Sequence, residues 1–416
     1  MSSPLIDTLL NDFNDKRWKA QPFERLVALL RSDPAQAAPF AEAALARLPS
    51  GGTFLDLALS FVPEDAFGEL VGHAVEALAS EAESGAAESV IAYGSLQFPA
   101  LLRPHLARLF ELCPNGGSYC EDWPWRAADP QDQAVLLDII DRPGPDKERM
   151  KAWLCLLESR APAALAAALD RAAALPLRHE ARTYLHQVAS DTPTSRLAHP
   201  AVWHLVFDPA CLAQDRPAWM DPSLHPSWSL PDDGATACRF GGASTGGCGL
   251  CGGPLHHLVT LPGHQPALSP TQNDPVELAV CLSCLGWEKP VLAYSHRDRG
   301  RPQSLDHGDV VPEFKGEAFR ETTVRLTATP ARWHWQDWGL SNGRENLNRV
   351  GGEPSWVQSA RYPDCPGCDR TMPFLLQLDS NLPTASGGEW LWGSGGMAYG
   401  FWCPSCQVSA FTWQCT

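Results

Sequence analysis

The chain has 416 residues, 44% hydrophobic and 19% charged, with a formal net charge of −16. That length holds two or three ordinary domains, and the composition is that of a folded globular protein rather than a disordered one. The acidity argues against a nucleic-acid binder, which neutralises phosphates with clustered Lys and Arg, and suits a protein partner with a basic surface or solubility alone.

Membrane insertion is also disfavoured. No apolar run approaches the roughly 18 residues that span a bilayer. The N-terminal stretch from Met1 to Thr8 lacks the basic start and apolar run of a secretory signal, so a soluble cytoplasmic protein is the expectation.

Residues 1–205 have the pattern of short amphipathic helices. Ser32-Asp33-Pro34 offers a capping side chain before a proline, after which Phe40, Ala44, Leu45 and Leu48 share one helical face. Phe67, Leu70, Val71, Ala74, Val75 and Leu78 repeat the i, i+3, i+4 spacing. So do Leu101, Leu102, Leu106, Leu109 and Phe110, then Val135, Leu136, Ile139 and Ile140. Pro145-Asp146 precedes a run with Met150, Trp153, Leu154 and Leu157, and Ala161-Pro162 opens another with Leu165, Ala168, Leu169 and Ala172. Helices too narrow to bury a face alone, in series, predict an all-α, HEAT- or armadillo-like array, although no strict period is visible.

Residues 206–245 read as a linker or loop-rich entry, because Pro209, Pro217, Pro222, Pro226 and Pro231 are followed there by Gly234, Gly241 and Gly242. Residues 246–416 are β-like. Leu258–Leu261 and Thr322–Thr327 alternate apolar and polar side chains, while Phe374–Asp379 and Met397–Trp402 read as deeply buried strands. Eight of the sixteen tryptophans lie between Trp333 and Trp413, which favours a core of large aromatic side chains. The fold class expected is α+β multidomain: a helical domain followed by a β-rich zinc-binding domain.

Of fourteen cysteines, eight form Cys-x-x-Cys pairs: Cys248/Cys251, Cys281/Cys284, Cys365/Cys368 and Cys403/Cys406. Two intervening residues let a tight turn aim both sulfurs at one point, giving two corners of a tetrahedron. Two such knuckles close a structural Zn²⁺ site. Sequence order pairs the first knuckle with the second and the third with the fourth, and interleaved pairing stays open. Gly249, Gly252-Gly253 and Pro366-Gly367 suit the turn geometry.

Trp402-Cys403-Pro404-Ser405-Cys406 resembles a thiol-redox motif, but its flanks are strand-like rather than a helix start. Iron–sulfur ligation uses four cysteines too, and a catalytic zinc keeps an open position that an all-cysteine set does not leave. His256 and His257, close to the first knuckle, are alternative ligands that read better as strand residues. Cys113, Cys120, Cys155, Cys211, Cys238 and Cys415 remain, and most of them read as buried free cysteines. Trp333-His-Trp-Gln-Asp-Trp-Gly339 matches no catalytic spacing, and Gly393-Ser-Gly-Gly396 reads as a turn between strands. No phosphate-loop, zinc-protease or serine-hydrolase motif occurs, so no enzyme is expected.

Val350-Gly-Gly-Glu-Pro-Ser-Trp-Val-Gln358, Met372-Pro-Phe-Leu-Leu-Gln-Leu-Asp379 and Gly395-Gly-Met-Ala-Tyr-Gly-Phe-Trp402 resemble, in that order, the segments of the YwqG-like family (domain of unknown function 1963). The same order is similar to the C-terminal domain of programmed cell death protein 2, which adds cysteine knuckles. The resemblance covers roughly 60–100 residues. It implies a mixed, β-rich fold without established catalysis, with Gly351, Gly352, Pro354, Trp356, Gln358, Gln377 and Asp379 as the matching positions. Many members of the first family lack cysteine pairs, and some are thought to be immunity proteins beside polymorphic toxins. The expectation is a non-enzymatic, zinc-stabilised immunity protein that neutralises a cognate basic toxin such as a nuclease. The alternatives are a chaperone or assembly adaptor and, less favoured, a zinc-dependent or thiol-redox enzyme.

Overall fold

Asp129 illustrates how the helical half is punctuated. Its carboxylate accepts from the backbone N–H groups of Gln131 and Asp132, while the Asp132 side chain accepts from the Asp129 N–H. This reciprocal cap, with Pro130 at the first helical position, starts the helix Pro130–Asp141. The computed structural model describes the chain outside residues 1–3, 15–19, 49–51, 81–84, 114–121, 177–198, 212–224, 269–272, 330–332, 334–335 and 344. It divides into two compact units: Met1–Thr192 with Pro217–Pro226, and Pro193–Arg216 with Ser227–Thr416.

The first unit is helical. Its longer helices are Pro4–Asn14, Ala20–Ser32, Ala37–Arg47, Thr53–Phe61, Glu64–Ala79, Gly85–Gln97, Pro130–Asp141, Asp146–Glu158 and Pro162–Arg171. Phe67, Leu70, Val71, Ala74 and Val75 are buried along one face, as their spacing requires. Three local readings change. Ser32-Asp33-Pro34 opens a short 3₁₀ turn, Pro34–Gln36, with no side-chain cap; Asp33 instead accepts from the Gln36 side chain at 3.0 Å. The apolar series 101–110 is broken into Pro99–Leu102, a 3₁₀ turn at Arg103–His105 and Leu106–Leu112, because Pro104 cannot continue a helix. Val135 and Leu169, placed on buried faces by spacing, are exposed, since each sits at the edge of its apolar stripe.

The second unit is built on antiparallel strands: β1 (His199–Val206), β2 (Thr236–Phe240), β3 (Ala243–Gly247), β4 (Pro254–Leu261), β5 (Val276–Val280), β6 (Leu292–Asp298) and β7 (Arg301–Ser304). Then follow β8 (Thr322–Ala328), β9 (Arg349–Gly352), β10 (Phe374–Asp379), β11 (Leu382–Pro383), β12 (Glu389–Trp390), β13 (Met397–Cys403) and β14 (Val408–Gln414). Twelve of them form one sheet in the order β3-β4-β2-β8-β1-β9-β10-β13-β14-β6-β7, with β5 on β4; β11 and β12 pair separately. Strand β7, at the far end, lies against β3 and β5, so the sheet curls until its ends meet, nearly a barrel. The enclosed core includes Phe240, Tyr294, Phe319, Trp392 and Trp402.

The boundaries drawn from the sequence at 205/206 and 245/246 do not hold. Strand β1 begins at His199, and β2 and β3 occupy part of the stretch read as a linker. Prolines and glycines there separate short strands. What makes β1 a strand is its pairing with β8 and β9, both more than a hundred residues downstream. The four β segments expected downstream all lie within β4, β8, β10 and β13.

A buried imidazole ties β6 to β14. His296 Nδ1 is 3.1 Å from the Gly300 carbonyl and Nε2 is 2.8 Å from Ser409 Oγ, an arrangement that the neutral ring satisfies. Burial pushes its pKa down to about 4. Because the folded pKa lies below the unfolded value of about 6.5, protons favour the unfolded chain. Stability is therefore expected to be full above pH 6.5 and to fall as pH drops towards 4. Urea midpoints for this protein and His296→Gln, compared between pH 7.5 and 4.5, check this; the variant should lose part of the slope.

Candidate metal centres

Both pairs of knuckles are assembled by the same piece of sheet geometry. Strands β4 and β5 run antiparallel with His256 opposite Val280, so Cys251, just before β4, and Cys281, just after β5, lie at the same end. Strands β10 and β13 repeat the arrangement. Phe374 faces Phe401, which brings Cys368 beside Cys403. In each case the chain reads knuckle, strand, excursion, antiparallel strand, knuckle. The antiparallel register thereby chooses the sequential pairing over the interleaved one.

The sulfurs of Cys248, Cys251, Cys281 and Cys284 lie within 4.8 Å of one another, as do those of Cys365, Cys368, Cys403 and Cys406. Individual separations are 4.0 Å for Cys248–Cys284, 3.8 Å for Cys251–Cys281 and 3.8 Å for Cys368–Cys403. A disulfide needs about 2.05 Å. A tetrahedral ion bonded to each sulfur at about 2.3 Å sets them about 3.8 Å apart, so both clusters can hold a metal ion. Three members of each cluster are buried, with Cys251 and Cys368 half-buried.

The loops are shaped for this task. Cys248 and Gly253 share a backbone hydrogen bond of 2.8 Å, Gly252 takes φ +69°, and the Gly253 N–H points at Cys251 Sγ at 3.4 Å. A Cβ at Gly249 would lie 1.9 Å from the Asp306 carbonyl oxygen, so that position admits no side chain. The third knuckle is the same in kind: Gly367 N–H reaches Cys365 Sγ at 3.4 Å, and Asp369, at φ +53°, donates its N–H to the Cys365 carbonyl at 2.8 Å.

Three residues support the clusters, and of these only His256 was named from the sequence, as an alternative ligand that reads better as a strand residue. Tyr294 Oη accepts from the Cys281 N–H at 3.1 Å, and His256 Nδ1 accepts from the Leu282 N–H at 3.2 Å. His256 thus serves the site by orienting a knuckle, and burial lowers its pKa so that the ring stays a neutral acceptor. His257 points instead to the Gly241 carbonyl and Thr260 Oγ1. Arg370 Nε donates to Cys368 Sγ at 3.5 Å and its guanidinium also bonds Ser405. Only the strand position of the two histidines was a usable signal in the sequence.

Charge is shared unevenly among the thiols. Bonding to Cys281 holds Cys248 down to about 5 and drives Cys281 far up, while burial lifts Cys284 to about 12. In the second cluster Arg370 holds Cys368 down to about 6, and burial lifts Cys365 to about 12. A divalent ion reverses this, because it binds thiolates and displaces their protons.

A second constellation runs across the sheet. Directly opposed residues on neighbouring strands give the row Thr327, His204, Arg349, Gln377, Tyr399 and Thr412, all buried. Such neighbours point to one face. His204 Nε2 is 2.9 Å from Gln336 Oε1, Gln336 donates to Glu345 and to the Asn346 carbonyl at 3.0 Å, and Arg349 Nη2 donates to Ser355 Oγ at 2.9 Å. Burial lowers the Arg349 pKa to about 10, which leaves it charged at neutral pH.

Most positions of the family resemblance fall around this row. Gln377 accepts from the Ser355 N–H and donates to the Leu347 carbonyl, both at 2.9 Å. Asp379 accepts from the Asn342 N–H at 2.8 Å, and Trp356 packs 4.5 Å from Tyr399. Gly351 takes φ +76°, where a Cβ would meet the Ala201 carbonyl oxygen at 2.3 Å. Gly352 shares that backbone region and Pro354 is buried. Gln358 is exposed and bonds the Cys415 carbonyl at 2.5 Å. Trp333 and Gln336 of the tryptophan-rich segment are buried, whereas His334 and Trp335 lie outside the described residues. Cys113, Cys155, Cys211 and Cys238 are buried and Cys415 is half-buried; Cys120 lies outside the described residues.

No family model and no solved structure matches the chain. A stretch of 71 residues, 17% of the chain, is 44% identical to the uncharacterized protein YpfL of Salmonella typhimurium (strain LT2). The match spans 15% of that relative's length.

Two predictions follow from the geometry. Purified protein is expected to hold two equivalents of metal by elemental analysis. Cys284→Ser and Cys403→Ser should each lose one and keep the other, and the double variant should lose both. Gln377→Leu strands the Ser355 N–H and the Leu347 carbonyl, and is expected to cost about 1–3 kcal/mol per group in chemical denaturation, with the metal content unchanged.

Proposed function

We propose that the chain is a zinc-stabilised, non-enzymatic protein binder, and specifically an immunity protein that neutralises a basic bacterial toxin such as a nuclease. The observation that carries this reading is the closed character of both metal clusters. Four cysteine sulfurs per site leave no open position for substrate or water, which is the chemistry of a structural rather than a catalytic ion. Zinc fits that all-thiolate tetrahedral donor set, and its binding energy contributes directly to folding.

The remaining support is of three kinds. The net charge of −16 favours a basic partner and disfavours nucleic acid. The segments around Gly351–Gln358 and Gln377–Asp379 resemble the YwqG-like family, whose members include presumed immunity proteins. The helical unit reads as a HEAT-like array because consecutive helices pack on one another, Glu64–Ala79 on Gly85–Gln97 and Pro130–Asp141 on Asp146–Glu158. No helix among the described residues is long and apolar enough to cross a membrane, and we place the protein in the cytoplasm.

A chaperone or assembly adaptor is the second reading, favoured by the knuckle-bearing resemblance to the C-terminal domain of programmed cell death protein 2. Co-expression with the toxin encoded beside its own gene separates the two. An immunity protein is expected to restore growth and to form a salt-sensitive complex with that toxin. An adaptor should leave the toxin active and co-purify with a newly made cellular protein instead. Absence of both binding and rescue removes the immunity reading.

A further inference from the structure

The turn that leaves the second knuckle turns its largest side chain outward. The Leu285 N–H bonds the Cys281 carbonyl at 3.0 Å and the Gly286 N–H bonds the Lys289 carbonyl at 2.8 Å, so Trp287 sits in a closed turn continuous with the first metal cluster. Gly286 takes φ +78°, and a Cβ there would lie 2.1 Å from Trp413 Nε1. That indole packs on the bare turn and donates to the Leu285 carbonyl at 2.9 Å. The turn is thus held from both sides, yet Trp287 itself remains 51% exposed.

Trp287 is part of a patch. Its ring lies 5.1 Å from Phe314, which is 38% exposed, and 5.5 Å from Trp413. Phe314 in turn lies 5.8 Å from Trp390. Single exposed apolar residues need no explanation, but rigidly held neighbouring aromatic rings at the surface mark an interaction site. Such rings add much contact area with little entropy to lose on binding.

The charge around the patch selects the occupant. Glu288 follows Trp287 in the chain, and its carboxylate accepts from the N–H of Glu313, next to Phe314, at 3.2 Å. The carboxylate of Glu317 accepts from the Ser386 N–H, and bonding to Ser386, to its side chain first and then to that N–H, holds its pKa below the usual range. Lys289 is paired with Asp306 and contributes no net charge. In the two segments that carry the patch, residues 286–289 and 313–317, Lys315 is the remaining cation beside these three carboxylates, in a chain of net charge −16. Cationic side chains are attracted both to this rim and to the indole faces. Nucleic acid and anionic membranes are repelled by it.

We propose that Trp287, Phe314 and Trp413 form a docking face for a basic segment of a partner protein, one that presents Arg or Lys beside apolar side chains. The proposal rests on reading the chain as a binder of basic proteins, and it locates the contact on the loops beside the first metal cluster.

The test uses the metal-loaded full-length protein and a fluorescein-labelled peptide of alternating arginine and leucine. Peptides of alternating glutamate and leucine and of alternating arginine and serine serve as comparisons. The arginine–leucine peptide should bind best, and Trp287→Ala and Phe314→Ala should each weaken it at least tenfold while retaining two metal equivalents. Leu169→Ala, at an exposed position of the helical unit, should bind as the parent does. Unchanged binding by Trp287→Ala, or equal binding of the glutamate–leucine peptide, overturns the proposal. So does a dimer in sedimentation that Trp287→Ala dissociates, because the occupant is then a second copy of the chain. Peptide binding through Trp287 without toxin rescue keeps the docking face and removes the immunity reading. Full toxin rescue by Trp287→Ala does the opposite.

Discussion

Antiparallel pairing of β4 with β5, and of β10 with β13, is the constraint from which the rest of the β unit follows. An antiparallel pair places the start of one strand beside the end of the other. A two-cysteine loop at each of those positions therefore delivers four sulfurs to one point. The ladder brings the knuckles together, and a shared ion would then lock the ladder's register. Because the same geometry occurs twice, at distant places in one sheet, the curl of that sheet is pinned at both places. The loops between are free to carry other features, among them the turn with Trp287.

The polar row from Thr327 to Thr412 works in the opposite way to the metal clusters. It places a guanidinium, an imidazole and an amide under cover of the segment that carries Gln336, Asn346 and Ser355. Buried polar groups of this kind are costly unless paired, so each one specifies the position of the groups that satisfy it. Gln377 and Asp379 fix two separate loop segments, through Ser355 and Asn342. Gln377 and Asp379, two positions of the resemblance drawn from the sequence, act in this sense as braces.

Much of the architecture was legible residue by residue. Amphipathic spacing located the helices around Phe67 and Ile140, and alternation or dense apolar character located β4, β8, β10 and β13. Errors arose where a local signal had two meanings. Proline and glycine between 206 and 245 mark turns between strands as readily as they mark a linker. The apolar series from Leu101 to Phe110 has helical spacing, but Pro104 breaks the helix that the spacing suggests. Val135 and Leu169 satisfy the periodicity and still face solvent, because periodicity defines a stripe without fixing its width.

By itself, the amino-acid sequence determined the two-part, α-then-β character of the chain and the identity of the eight clustered cysteines, because helical and strand periods and the Cys-x-x-Cys spacing are local properties. Only the tertiary structure decided which knuckles meet, since that depends on strand register across gaps of 29 residues (252–280) and 34 residues (369–402). It also decided that His256 and Tyr294 serve the first cluster, that Arg349 is buried in a row of polar side chains, and that Trp287 faces outward. None of these has a local signature. Each is set by residues far away in the chain, brought alongside by backbone pairing that no short window of sequence contains.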